Sequence, residues 1–445
     1  MQKVHQAAPK ADDILNERHP CFYLVQNKPE RNLWWFQRSF DRMQIFLARQ
    51  PIFDKNRNVF AYELLFRSGS ENYYSHDNGD YATSRVLSNS FFSIGLESIT
   101  RGKKAFINFT TNLLLNEVAT IFPPDQMAVE ILEDVRPDAA VVAKCRELKE
   151  LGYQIVMDDF VFRPELAELI ELADIIKVDF IETTGYERRR VMRQVNRRDV
   201  SFLAEKVETH EDYKEAVKLG YEYFQGYFFA KPDIISSTDL PSCDLNYLRV
   251  LQHINKPTLD FDQLEKIFRQ DVSLSYKLLR FINSAYFGLP NQIKSIRHAL
   301  NMIGLKQARK WLSLIALSSL GKDKSDELVH MSLVRANLCE RIAPLLNYEK
   351  EASELFMMGL FSLIDAFLDR PMEEILEKMP LSTDIKNALL GESSRYLPVY
   401  KLVLAYEKGE WDRVFDYLTE LDSLKDELPT LFFETIEHSN LILSF

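Results

Sequence analysis

The sequence predicts an α/β barrel followed by an all-α region, and three observations carry that reading. Between residues 105 and 225, short β-prone runs alternate with helical stretches of mixed polarity. Strand then helix, many times over, builds a parallel sheet, and this many repeats favours a closed barrel over an open sheet. Across Lys231–Pro241 the alternation breaks into Pro, Ser and Asp, and only helical periodicity follows. Finally, nearly every predicted strand ends in a carboxylate, amide or amine, which is where a barrel of this kind gathers its chemistry.

The elements follow in order. Residues 1–42 read as a leader of mixed, irregular texture, with Met43 standing immediately before the patterned chain as a candidate start. From Gln44, two apolar runs flank the polar turn Lys55-Asn56-Arg57-Asn58 and predict a β-hairpin. Ala82, Val86, Ser90 and Ile94 fall at helical spacing within 81–98. Strands are expected at 105–109, 127–132, 154–157, 175–178, 200–203 and 221–225. Helices are expected at 138–151, 164–172, 186–195 and 211–219. Beyond the linker, Asp260 with Gln263 forms a capping arrangement, and Leu274, Leu278, Ile282 and Ala285 share one helical face. Ile296, Leu300 and Ile303 form another, stopped by Gly304. The expected division is therefore 1–42, 43–238 and 239–445, with two separable units meeting near 236–242.

Composition narrows the classes of function. The chain has 445 residues, 46% hydrophobic and 27% charged, as folded globular proteins do. A net charge of −11 argues against non-specific adhesion to nucleic acid or anionic lipid, although a small basic pocket for a phosphate ligand stays compatible with it. Cys21, Cys145, Cys243 and Cys339 are dispersed without a CxxC pair, which fits a reducing cytoplasm and gives no zinc signature. The longest membrane-like run, Trp311–Leu320, is too short to span and carries three serines.

Read strand by strand, the polar ends are Glu63, Asn108, Glu130 with Glu133, Asp158 with Asp159, Lys177 with Asp179, Glu205 with Glu208, and Gln225. One such carboxylate is usually a helix cap or a surface charge. A whole ring of them is harder to explain that way, because convergent carboxylates repel unless cations hold them. The pattern points to a hard divalent metal, Mg²⁺ or Mn²⁺, and a two-metal site would suit phosphodiester hydrolysis. Lys177 could orient water or neutralise developing charge.

Several motifs in fixed order then give a resemblance. Glu63-Leu64-Leu65-Phe66-Arg67, Phe106-Ile107-Asn108-Phe109, Glu130-Ile131-Leu132-Glu133, Asp158-Asp159-Phe160, Lys177-Val178-Asp179, Ala204–Thr209 and Gln225-Gly226-Tyr227 together resemble the EAL domain over about residues 44–235. That family hydrolyses or senses cyclic di-GMP, and its fold is a TIM-like (β/α) barrel. The resemblance implies that Glu63, Asn108, Glu130, Asp158 and Asp159 are metal ligands and that Glu205 and Lys177 handle the water. Gln50, Arg67, Asp179 and Gln225 would bind the nucleotide, with Arg67 offering a planar fork of donors to phosphate. Glu133 would brace the loop after Asp159, and Glu208 would support the site from behind.

The sequence departs from that pattern in three places. Asp158-Asp159-Phe160-Val161-Phe162-Arg163-Pro164 lacks the glycines and serines usual after the paired Asp, the 19 residues from Asp158 to Lys177 are compressed, and Lys206 stands where glycine is usual. The C-terminal half, from Asp271-Val272-Ser273-Leu274 through Ile303-Gly304-Leu305, resembles the HDOD domain. Where related HD phosphohydrolases place a metal-binding His-Asp pair, Ser362-Leu363 aligns. The resemblance thus implies a regulatory module that binds signalling proteins, and a barrel able to form a homodimer.

Other features have plainer readings. His76-Asp77 reads as loop, and the arginines between 188 and 198 as a solvated helix face. Met357 and Met358 read as core, His298 as packed, Glu117 and Glu171 as solvated. Two functions stay open at this point: a cyclic di-GMP phosphodiesterase yielding pGpG, or an EAL barrel that senses the nucleotide or scaffolds partners without cutting.

Overall fold

The computed structural model describes residues 45–68, 96–231, most of 251–270, scattered positions between 278 and 295, 296–320 and 324–443. The leader, the 81–95 part of the first expected helix and the boundary near 236–242 lie outside the described residues. Eight strands close a barrel in sequence order: β1 Ile45–Asp54, β2 Val59–Ser68, β3 Lys104–Phe109, β4 Met127–Ile131, β5 Gln154–Met157, β6 Ile175–Asp179, β7 Ser201–Glu205 and β8 Tyr223–Gln225. β1 runs antiparallel to both neighbours, and every other pairing is parallel. The hairpin that makes this reversal turns on Asp54, whose Oδ1 accepts from the amides of Asn56 and Asn58 at 2.8 and 2.9 Å. Such a local side-chain loop sets a tight turn without glycine.

Helices α1 Ala139–Glu150, α2 Ala167–Leu172, α3 Gly185–Val195 and α4 His210–Leu219 return the chain between strands. Three of their starts carry side-chain caps. Asp138 accepts from Val141 N, and Thr184/Glu187 and Thr209/Asp212 are reciprocal capping boxes. Arg188 is buried against Glu215 and the Phe180 carbonyl, whereas Arg189, Arg190, Arg193 and Arg198 lie in solvent.

The barrel interior follows strict period-two alternation. Ile52, Ala61, Phe106, Ala128, Val156, Ile175 and Leu203 form one dry apolar layer. Two residues further toward the mouth on each strand stand Gln50, Glu63, Asn108, Glu130, Asp158, Lys177 and Glu205. Because successive side chains alternate faces, those residues point inward as the next layer. The polar ring is therefore a direct consequence of strand register.

The C-terminal half is helical throughout its described residues. α5 Phe261–Gln270 is capped by Asp260, whose Oδ1 accepts from Gln263 N at 2.8 Å. α6 Ile296–Leu320 is two helical stretches broken at Gly304, where φ is 76°. His298 is exposed there, not packed. α7 Asp326–Ile342 is buried along most of its length, and α8 Ala352–Phe361 crosses it closely. A Cβ at Gly359 would lie 2.5 Å from backbone atoms of Arg335 and Ala336, so only glycine permits that crossing. α9 Leu397–Lys408 and α10 Trp411–Glu420 form a hairpin about Gly409, and α11 Leu428–Leu443 closes the bundle.

One apolar core runs from the outside of the barrel into these helices. Phe46 of β1 packs edge-on against Phe415 at 5.1 Å and tilts against Tyr406 and Trp411. Polar contacts flank it: the Tyr62 hydroxyl donates to buried Glu327 at 2.7 Å, and Arg101 pairs with the same carboxylate at 3.1 Å. No described helix is long and apolar enough to cross a membrane.

Candidate active site

At the barrel mouth the centre is a buried ammonium. Lys177, 1% exposed, pairs with Glu63 at 3.5 Å, Asp158 at 2.8 Å, Glu205 at 2.6 Å and, closest, Glu130. Glu63 also accepts from Asn108 Nδ2 at 3.3 Å and from Gln225 Nε2 at 2.6 Å. Gln225 is aimed by the turn after it: a Cβ at Gly226, φ 143°, would sit 2.2 Å from the Val207 carbonyl oxygen.

Four carboxylates around one ammonium leave a formal surplus of negative charge. Two like charges 4 Å apart repel by about 4 kcal/mol at an effective dielectric of 20. Burial, then mutual repulsion, accordingly pushes Glu130 well above the ordinary carboxylate range against the pull of Lys177, and lifts Glu205 to about 8. Burial works against the charge on Lys177, but Glu130, Glu205, Glu63 and Asp158 outweigh it and hold the amine protonated.

The oxygens left over identify what the ring suits. Asn108 Oδ1, Glu130 Oε2, Asp159 Oδ1 and Gln225 Oε1 are buried atoms without a hydrogen-bond donor. Unsatisfied buried oxygens are rare and costly, and Glu130 is fully enclosed. Glu63, Glu130 and Glu205 bring carboxylate oxygens within 4.8 Å of one another, as do Glu133, Asp158 and Asp159. An all-oxygen donor set of this kind fits a hard divalent cation.

A second tier surrounds it. Asp179 accepts from the amides of Ile181 and Glu182 at 2.6 and 2.9 Å and pairs with Lys206. Burial opposes its charge, but those donors hold its carboxyl below the usual range. Asp159 is raised, chiefly by burial and by Asp158.

The other expected residues are placed differently. Arg67 pairs with Asp412 of α10 at 2.9 Å and lies over the Phe415 ring, and Gln50 donates to the Lys408 carbonyl at 2.9 Å while accepting from Gln225 at 3.0 Å. Both expected nucleotide contacts are thus engaged by the α9–α10 hairpin. The side chain of Glu133 is exposed, and it is its backbone carbonyl that accepts from Arg163 of the loop after Asp159. Glu208 stands in solvent, paired with Lys231 at 3.2 Å. Ser362, aligned with the His of an HD pair, is buried beneath Arg335, which donates to it at 3.1 Å and grips Glu407 at 2.8 and 2.7 Å.

Sequence reading missed three participants: Lys206 as an ion-pair partner, Arg335 as the buried cation of the helical half, and the 407–412 turn over Gln50 and Arg67. Only Lys206 carried a signal, as a lysine in a glycine's place.

Comparison with known proteins agrees with this architecture. The EAL domain model matches residues 84–232 and the HDOD domain model residues 240–379. The uncharacterized protein YuxH of Bacillus subtilis (strain 168) is 39% identical over 403 residues, covering 89% of this chain and 98% of that one. The cyclic di-GMP phosphodiesterase CdgJ of Vibrio cholerae is 33% identical over 382 residues, covering 84% and 88%. Among solved structures, the EAL-domain protein YkuI of Bacillus subtilis, in complex with substrate c-di-GMP and calcium, aligns at 18% identity and TM-score 0.35, over 53% of this chain and 74% of that one.

Proposed function

The chain belongs to the family of EAL domain proteins fused to an HDOD domain, and from that premise we propose that it is a metal-dependent cyclic di-GMP phosphodiesterase. The observation that carries this reading is the inward ring of oxygen donors with unsatisfied buried atoms at its centre. Glu63, Asn108, Glu130, Asp158 and Asp159 are the residues that would hold Mg²⁺ or Mn²⁺. A divalent cation held there supplies Lewis-acid charge to phosphodiester oxygens and makes water more acidic.

The chain's own residues do the rest. Glu205, held beside Lys177 at the barrel mouth, takes the proton from the attacking water. Water adds at phosphorus, one P–O ester bond breaks, and linear pGpG results. Lys177 fixes Glu205 and offsets charge on the phosphate. Gln50, Arg67, Asp179 and Gln225 hold the nucleotide, which requires Arg67 to exchange Asp412 for phosphate.

The HDOD domain serves as a non-catalytic partner-binding module. Arg335 fills the ground beside Ser362, and the described residues there hold no cluster of metal-ligating side chains. Val161 and Ile181, exposed on loops at the barrel mouth, and Tyr186, exposed in the first turn of α3, support a homodimer through the barrel.

A second reading, a receptor or scaffold that does not cut, is favoured by the engagement of Gln50 and Arg67 and by the glycine-free loop after Asp159. Incubation with cyclic di-GMP and Mn²⁺, with and without chelator, followed by chromatography, separates the two. Metal-dependent pGpG is expected, lost in Glu63→Ala. In Glu205→Gln it should fall by orders of magnitude with binding retained, and Arg67→Ala should weaken binding most. Binding without any product would select the receptor.

A further inference from the structure

Lys206 has no role in the chemistry described so far, yet it holds an unusual position. It follows Glu205 at the end of β7 with φ 52°, in the left-handed region that glycine adopts without strain. Its ammonium pairs with Asp179 of β6 and lies 3.8 Å from Asp159 Oδ1 of the loop after β5. Asp159 is itself left-handed, at φ 38°. Two strained backbone positions on separate loops thus bring one ammonium between two carboxylates.

Each member of the paired Asp is thereby matched to a lysine. Asp158 faces Lys177 and Asp159 faces Lys206. Lys177 also pairs with Glu63, Glu130 and Glu205, and the buried oxygens left without a donor include Asn108 Oδ1 and Glu130 Oε2, which stand in register on adjacent strands. With Glu63 that donor set can hold one ion, and Glu130 is fully buried whereas Asp159 is partly exposed.

We propose that the Lys206 ammonium stands where a second cation would lie, so that the site takes one divalent ion, at Glu63, Asn108 and Glu130, and not two. This rests on the metal-dependent reading above and changes its stoichiometry. The fixed ammonium neutralises the outer carboxylates without needing metal from solution. It is half exposed, so it can turn toward a phosphate oxygen of the substrate while its backbone stays fixed.

The test is Mn²⁺ binding to the full chain without nucleotide, by calorimetry and by electron paramagnetic resonance. The parent should bind one Mn²⁺ per chain with an uncoupled spectrum. Lys206→Gly, which relieves the left-handed backbone, and Lys206→Met, which keeps the side chain's bulk, should each bind a second ion that is spin-coupled to the first. Lys206→Arg should stay at one. Two coupled ions in the parent, or a single ion in both Lys206→Gly and Lys206→Met, would overturn the proposal while leaving the metal-dependent reading intact. No Mn²⁺ bound by the parent would overturn both.

Discussion

In the barrel mouth one ammonium, Lys177, faces four carboxylates, and buried oxygens of the same ring go without a donor. In the helical half one guanidinium, Arg335, faces a single carboxylate, Glu407, and also donates to Ser362. Burial opposes the charge on Arg335, but Glu407 overcomes it, so the pair is matched one to one. Glu407 goes on to accept from the Tyr227 hydroxyl of the barrel at 3.2 Å. The second cluster is complete in itself and ties the halves together. The first is unbalanced by construction, and an imbalance of that sign is useful only if something cationic arrives. A buried charge cluster is best read by whether its donors and acceptors come out even, not by how many charges it holds.

That contrast can be broken most sharply at its two cations. Lys177→Met should abolish hydrolysis, by about a thousandfold or more, and should destabilise the metal-free chain by about 3–5 kcal/mol, the usual cost of stripping a buried pair of one partner. Saturating Mn²⁺ should restore much of that stability, read as a rise in Tm. Arg335→Met should cost a similar amount, and Mn²⁺ should restore none of it. Equal rescue of both variants would erase the distinction.

Acid–base behaviour sharpens it further. Glu205 binds a proton up to about pH 8 in the folded chain, against about 4.5 when unfolded, and Glu130 is shifted in the same sense. Between those values the folded state holds more protons, so metal-free stability should fall as pH rises from about 4.5 to 8, by on the order of a few kcal/mol. Glu205→Gln should flatten that slope in chemical denaturation. With Mn²⁺ present the slope should reverse, because deprotonated carboxylates bind the ion better. The smallest effect is expected at the rim, where Asp412→Ala should change stability by less than about 1 kcal/mol, since Asp412 is largely exposed.

Much of this was legible in the sequence because its physics is local. Strand–helix alternation predicted the barrel, and the polar ends of its strands pointed to Glu63, Asn108, Glu130, Asp158, Lys177 and Glu205. What the sequence concealed depends on contacts between distant segments. Nothing near Arg67 announces Asp412, 345 residues away, and nothing near Ser362 announces Arg335 on another helix. Nothing near Glu133 announces that its backbone carbonyl accepts from Arg163, 30 residues away. Lys206 was visible as an oddity, but its partners required knowing that the ends of β5, β6 and β7 are neighbours.

The turn about Gly409 sits against the hairpin of the barrel, where a Cβ on Gly409 would lie 2.8 Å from Leu65 Cδ1. From its two sides come the Lys408 carbonyl that holds Gln50 and the Asp412 carboxylate that holds Arg67. On the proposed binding of nucleotide at Gln50 and Arg67, the turn and the phosphate would be rivals for one set of donors. Thermodynamic linkage then fixes a two-way bargain. On that reading, a protein that drew α9–α10 away from the barrel would tighten nucleotide binding by some factor, and nucleotide would tighten that protein's grip by the same factor.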